Sequence, residues 1–441
     1  MALMWSRIHA ELGLSPQPLT YAMVEQAIAQ GVRENEDLDW KRDLAWKKDL
    51  PPDAKEKKKR EFAKDVAAMA NTRGGLIVFG VSEENERPVK LLGVPNSEQD
   101  RQAMRSFTHK YLRPLVDSLV IEPLNGEDDA PGLIVVSVPP SPDAPHVIGE
   151  KNEMGIPHRD GSDTLWMSEG QLERAYRDRF SRRADDRAAL TALIDGLVPE
   201  IDFDKGVWLA VAARPIAPLP LLSRRPQREQ VSTTLRTALQ LASEVFGRGQ
   251  GRVPVLNELL SGDAVNNARH GLRRWVIRSN HYSTDAQERV NWALVELHHD
   301  GSIALAISLG AFTQGVEIVG TSPTAMQVHL KIVDAAIAEA VTLAATHARG
   351  LGTVGTILAR AALLTSKAAV SAPLEAIDNQ LIGGMSSLYQ RVPGSRAVRN
   401  PVAVEAGFSA EDDVAALRGV ARQLADDLNH QFGTSGSTIP D

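Results

Sequence analysis

The chain has 441 residues, 43% of them hydrophobic and 24% charged, enough for two folded cores. It holds no cysteine, which excludes disulfides, thiolate metal sites and a cysteine nucleophile, and fits a reducing cytosol. A net charge of −7 excludes a protein that coats nucleic acid with its whole surface, so any phosphate-binding surface is expected to be local.

Residues 1–19 read as an N-terminal extension. No signal peptide is expected there, and no apolar run is long enough to cross a bilayer, so a cytoplasmic protein with no membrane partner is expected. Thr20 is placed to cap a short helix with Val24, Ala27 and Ile28 on its inner face and Gly31 at its end. Leu38 and Trp40 then alternate with Asp39 and Lys41, which on a strand puts the acid and the lysine on one face. Pro51-Pro52 breaks the chain. Asp53 with Glu56 reads as a capping box for a helix whose buried stripe is Phe62, Val66 and Met69. Asn71 lies at its end, Gly74-Gly75 makes a turn, and Leu76 to Val81 reads as a strand buried on both faces.

A helix is expected over 98–111, ended by Arg113-Pro114, and a buried strand over 133–138. His158 to Ser162 reads as a turn or bulge. Ser168 with Gln171 caps a helix running towards Phe180, which closes a first domain of mixed α/β character over 20–180. Residues 181–200 read as a helical connector. The second domain, 201–431, is expected to be α+β: a strand at 208–213, a proline-rich loop at 215–226, and a hairpin over 291–309 about Asp300-Gly301. A long alanine-rich helix opened by Ser322-Pro323 and ended by Gly350 follows, then more helix through Leu364 and another over 411–430. Residues 432–441 read as a disordered tail. The fold class is therefore α+β, mixed α/β in the first domain.

The chemistry-bearing candidates sit in the first domain. Glu34, Asp39 and Glu83 are acids suited to a hard divalent cation, and Lys41, two residues from Asp39, shares its strand face. The other reading is an exposed, salt-bridged strand face. Lys57, Lys58, Lys59 and Arg60 lie in a lysine-rich stretch that reads either as a phosphate surface or as a solvated helix face with pairs such as Glu56 with Arg60. Asn71, Gly74 and Gly75 read first as a structural turn, and otherwise as a backbone nest near phosphate. Arg73 joins the cationic candidates. Arg159 either contacts phosphate or anchors its turn. No nucleotide-binding lysine–glycine loop is present, and the glycine-rich 247–251 reads as a loop, so no ATP is expected. His270, His281, His298, His299 and His329 fit no strong metal template.

The run Glu34 to Lys41, then Phe62 to Val81 with Asn71-Thr-Arg-Gly74-Gly75, resembles the Schlafen AlbA-type (AlbA_2) domain. Arg113-Pro114, the strand at 133–139 and Arg159-Asp-Gly161-Ser162 follow in the family's order. The resemblance covers about residues 20–180. It implies a nucleic-acid-binding domain, and in nuclease members three acids that hold a divalent metal and cut RNA such as tRNA. Carried over, the acids are Glu34, Asp39 (usually Glu) and Glu83 (usually Asp), with Lys41 assisting and Mg²⁺ or Mn²⁺ as the ion. The implied function is a metal-dependent ribonuclease or single-strand nuclease whose second domain selects a partner or senses a signal, as in a stress or phage-defence device. The alternatives are a non-catalytic DNA-binding regulator and a scaffold assembled through the C-terminal domain; a homo-oligomer is compatible with each.

Overall fold

A computed structural model describes residues 5–126, 131–150, 153–216, 226–247, 254–261, 264–266, 268–279, 292–310, 318–353, 355–366, 372–382 and 386–441. His281, residues 248–251 of the expected glycine-rich loop and most of the proline-rich stretch lie outside the described residues. The chain divides into two units, Met1–Asp185 with Gly352–Thr356, and Asp186–Leu351 with Ile357–Asp441.

The first unit contains α1 (Arg7–Glu11), α2 (Tyr21–Ala29), β1 (Leu38–Lys41), α3 (Pro52–Ala70), β2 (Gly75–Phe79), β3 (Val81–Glu84), β4 (Arg87–Leu91) and α4 (Glu98–Tyr111). It continues with β5 (Leu112–Arg113), β6 (Val120–Leu124), β7 (Leu133–Val138), β8 (Val147–Glu150), β9 (Glu153–Gly155), β10 (Pro157–Asp160), β11 (Asp163–Trp166) and the start of α5 (Glu169–Leu197). Its main sheet has the order β1-β2-β7-β6. β1 and β2 are parallel, because α3 carries the chain back between them; the other pairs are antiparallel.

The two faces of this sheet hold different cores. Leu38, Trp40, Leu76 and Val78 pack with α2 and Ile8 of α1. Ile77 and Phe79 pack with Phe62, Val66 and Met69 of α3 and Met104 of α4. β2 is thus apolar on both sides, which is why it reads as an unbroken apolar run. The parity of β1 leaves Asp39 and Lys41 on the α3 side. Residues 1–19, expected as an extension, include the buried Ile8 and so contribute to this unit's core.

Thr20 caps α2 as expected, accepting from the Met23 N–H at 3.3 Å. The capping box expected at Asp53 and Glu56 does not form. α3 begins at Pro52, with no side-chain cap from Pro51, and Glu56 instead meets Lys59, Lys110 and Tyr111. Proline is favoured at the first helical position, and a helix that starts at Pro52 puts Asp53 inside its first turn and not at the capping position. His158 to Ser162 forms a tight hairpin: β10 and β11 pair antiparallel about Gly161-Ser162. Ser168 and Gln171 open α5, which runs on through the expected connector to Leu197.

The second unit holds β12 (Trp208–Pro215), α6 (Arg228–Phe246), α7 (Pro254–Ser261), β13 (Arg269–Gly271), β14 (Arg274–Arg278), β15 (Ala293–His298), β16 (Ile303–Ser308), β17 (Ile318–Val319) and β18 (Met326–His329). α8 (Leu330–Leu351), β19 (Thr356–Leu364), β20 (Leu374–Ile382), β21 (Ser386–Arg391), β22 (Val404–Ser409) and α9 (Val414–Asn429) follow. Seven strands form one sheet, β13-β14-β15-β16-β12-β19-β22, and four form another, β17-β21-β20-β18. β15 and β16 make the expected hairpin. α6, α8 and α9 bury one face of the large sheet, and Leu190, Ile194 and Leu197 of α5 bury the other.

Three expectations fail here. The long helix starts at Leu330, because residues 326–329 pair with β20 as a strand. Residues 356–364 are strand β19, not helix: Ile357, Ala359, Ala361 and Leu363 alternate inward beside β12, a period of two that the alanine content masked. The terminal segment 432–441 is seated, not disordered. Phe432 and Ile439 are buried, and Thr438 donates from its N–H (2.7 Å) and its hydroxyl (2.8 Å) to the buried Asp334.

Candidate nucleic-acid interface

Glu34 stands just before β1. Its Oε1 accepts the Trp40 N–H at 2.6 Å, and its own N–H donates to the Glu86 carbonyl at 2.8 Å. Burial, then the charges of Asp39 and Glu83, push its carboxyl up to about 7. Glu83 reaches this neighbourhood from β3, where a bulge between Ser82 and Glu83 shifts the pairing with β4. Glu83, one of the acids singled out from the sequence, is therefore an electrostatic neighbour of Glu34.

Asp39 is 2% exposed. Lys41 Nζ lies 2.6 Å from its Oδ2, and Arg159 Nη2 lies 3.4 Å from its Oδ1. Lys41 is also 3.8 Å from Asp65 of α3. Against the desolvation that lowers it, Asp39 and then Asp65 hold the lysine above its ordinary value, so it stays charged. Burial pushes the Asp65 carboxyl up. Asp65 escaped the sequence reading; its signal is an acid three residues after Phe62, beside the stripe that faces the sheet.

The donor set is chemically suited to a hard divalent cation, being carboxylate oxygen throughout. Its arrangement is not. Among the described residues no three His, Cys, Asp or Glu side chains gather to hold a metal ion. Asp39 already faces two cations, and Glu34 already accepts a backbone hydrogen bond. The residues as they stand do not fit a three-carboxylate metal centre.

The expected cationic residues separate into two kinds. Arg159 is only 5% exposed. Its guanidinium donates to the Asn35 carbonyl at 3.3 Å and Asp39 at 3.4 Å, and its N–H donates to Thr72 Oγ1 at 2.9 Å. It anchors the β10–β11 hairpin to the acid cluster, the turn-anchoring reading of that residue. On α3, Lys58 pairs with Glu61 and Lys59 with Glu56, so Glu56 has Lys59 as a helix partner. Hydrogen bonds from Lys110, Tyr111 and Lys59 hold the Glu56 carboxyl down at about 2. Lys57 is exposed on the same helix. Arg73, at the α3–β2 turn, keeps 81% of its side chain exposed, with Glu36 3.6 Å away.

That turn is stiff. The Asn71 amide donates to the His146 (3.0 Å) and Pro157 (2.7 Å) carbonyls and accepts the His146 N–H at 2.6 Å. Gly74 has φ +73°, and a Cβ there would come 2.5 Å from the Val138 carbonyl oxygen. At Gly75 a Cβ would meet Asp37 at 2.7 Å. Nearby, a cleft of about 620 Å³ is lined by Arg7, Arg33, Glu34, Glu86, Asp160 and Ser162, among others.

His270 stacks on Trp275 with centroids 3.7 Å apart, His298 lies 3.1 Å from Glu296, and burial lowers His329 to about 4.

Residues 34–168 match the family model described as Schlafen, AlbA_2, so the resemblance carried by the motif order holds over that segment. No curated protein matches the chain. Among solved structures, the crystal structure of the DIP2311 protein from Corynebacterium diphtheriae is similar at 18% identity, over 36% of this chain and 28% of that one, with a TM-score of 0.25. The chain thus spans under a third of that protein's length. Among the described residues no helix is long and apolar enough to cross a membrane.

Proposed function

We propose that the AlbA_2-type segment binds nucleic acid through cations that its fold leaves open: Lys57 on α3, Arg73 on the turn that follows, and Lys41 at the acid cluster. The observation that carries this reading is the family match, which spans all three residues. The geometry supports it. Lys41 is held charged with 36% of its side chain open, and Arg73 projects from a backbone fixed by Asn71. Phosphate contacts of this kind position a strand without reading its sequence. Fluorescence anisotropy with labelled single-stranded RNA, in EDTA, tests the reading. Arg73→Glu with Lys57→Glu is expected to weaken binding about tenfold or more at low salt, since charge reversal loses two phosphate contacts. Unchanged affinity contradicts it. Duplex DNA in the same assay separates a single-strand binder from a DNA-binding regulator.

A second reading is metal-dependent cleavage with Mg²⁺ or Mn²⁺. It is favoured by one observation, the carboxyl of Glu34 held near 7 beside Asp39 and Glu83. It requires Asp39 to leave Lys41 or Arg159. Mn²⁺ that raises the melting temperature of the native chain but not of Glu34→Gln, together with RNA cleavage abolished by EDTA, supports this second reading. No shift and no cleavage leave binding alone.

A further inference from the structure

Resting on the nucleic-acid reading, we propose that Trp166 is a stacking platform for an unpaired nucleobase, with Arg73 taking the adjoining phosphate. Five other tryptophans, at positions 40, 46, 208, 275 and 292, are at most 8% exposed. Trp166 is 54% exposed, next to Leu165 at 45% and close to Met154 at 74%. A large aromatic left open on a well-ordered strand marks a contact surface more often than a packing site.

The ring is seated, not loose. A Cβ on Gly155 would come 2.5 Å from its Cζ3, so the glycine makes room for the indole edge and leaves the rest of the ring open. Met154, beside that glycine, offers a polarizable thioether at the margin of the platform. The strand beneath is tied to the turn that carries Arg73. Trp166 pairs with Pro157, whose carbonyl accepts from Asn71, and Arg159, two residues on, donates its N–H to Thr72. One hydrogen-bonded junction therefore fixes both an open indole face and an open guanidinium. That combination of stacking surface and nearby cation fits a single strand, whose bases are free to leave their neighbours, and not a duplex, whose bases are already stacked and paired. Arg159, which meets Asp39, pairs with Thr164, two residues before Trp166 on the same strand.

The test compares two probes on the full chain by anisotropy: labelled oligouridine, and an RNA strand of the same length in which every base is replaced by an abasic site. The native chain is expected to prefer the base-bearing strand. Trp166→Ala is expected to weaken binding of the base-bearing strand about tenfold and to leave abasic binding unchanged. Trp166→Phe is expected to retain most of the affinity, which separates stacking from loss of fold. Equal native affinity for both strands, or an equal loss on both in Trp166→Ala, overturns the platform while leaving the binding reading in place. No binding to either strand overturns both. A native dimer that Trp166→Ala turns into monomer assigns the patch to a second copy and also overturns the platform.

Discussion

Glu34 is the residue at which fold and charge pull hardest against each other. Its folded carboxyl sits near 7, pushed there by burial and then by Asp39 and Glu83, against an ordinary value of 4.5. Because the folded state holds the proton more tightly, the stability that proton contributes is fully present below about 4.5. It is lost as pH rises to about 7 and stays lost above. Glu34→Gln keeps an oxygen for the Trp40 N–H and removes the charge. It is expected to be more stable than the native chain by about 2 kcal/mol at pH 8, after allowance for solvent screening, with the gap closing by pH 4. Urea midpoints at the two pH values check this, and a gap that does not change with pH contradicts it. At this scale the sequence was informative where side-chain parity decides. Asp39 and Lys41 share a face because a strand alternates. It was uninformative about Arg159 and Asp65, since their burial depends on a hairpin and a helix docking from distant parts of the chain.

The element that organises the site is the turn between α3 and β2. Gly74 is in the left-handed region and presses on β7 and Pro140, whereas Gly161, also left-handed at φ +60°, has open space where a Cβ would go. Gly74→Ala therefore combines backbone strain with a clash and is expected to cost about 3 kcal/mol, against about 1 kcal/mol for Gly161→Ala. Denaturant midpoints of the two variants measure the contrast; equal costs would show that β7 yields to the new methyl. Helices were legible from a cap or from a 3.6-residue stripe: caps at Thr20 and Ser168, a stripe at Phe62-Val66-Met69. Residues 356–364 were not. Alanine favours helix weakly, and the pairing of this segment with β12 outweighs that preference. The helix of 29 residues from Glu169 was read in two pieces because its polar stretch hides any single stripe.

At the level of the whole chain, a formal charge of −7 requires that phosphate be met locally, and the exposed cations Lys57 and Arg73 lie within one helix and its turn. The second unit closes on its own terminus: Thr438 is bonded to Asp334, Asn429 donates to the same carboxylate at 2.8 Å, and Ile439 is buried. Deleting residues 433–441 leaves Asp334 short of two donors and exposes an isoleucine site. It is expected to cost about 3 kcal/mol, seen as a lower melting temperature, with the affinity of the first unit for RNA unchanged. An unchanged melting temperature contradicts this role for the tail. The Gly/Ser/Thr composition of 432–441 suggested disorder, because two buried apolar side chains and the two hydrogen bonds of Thr438 are invisible to composition. The second unit's sheet order was likewise out of reach, since strand neighbours are set by tertiary pairing rather than by local pattern.

The most direct measurement is the anisotropy of labelled single-stranded RNA titrated with the full chain in EDTA across a series of salt concentrations. Saturable binding that weakens with salt is expected, with a slope of log affinity against log salt of about −2 for about three phosphate contacts. Absence of binding at low salt, or binding indifferent to salt, would contradict it.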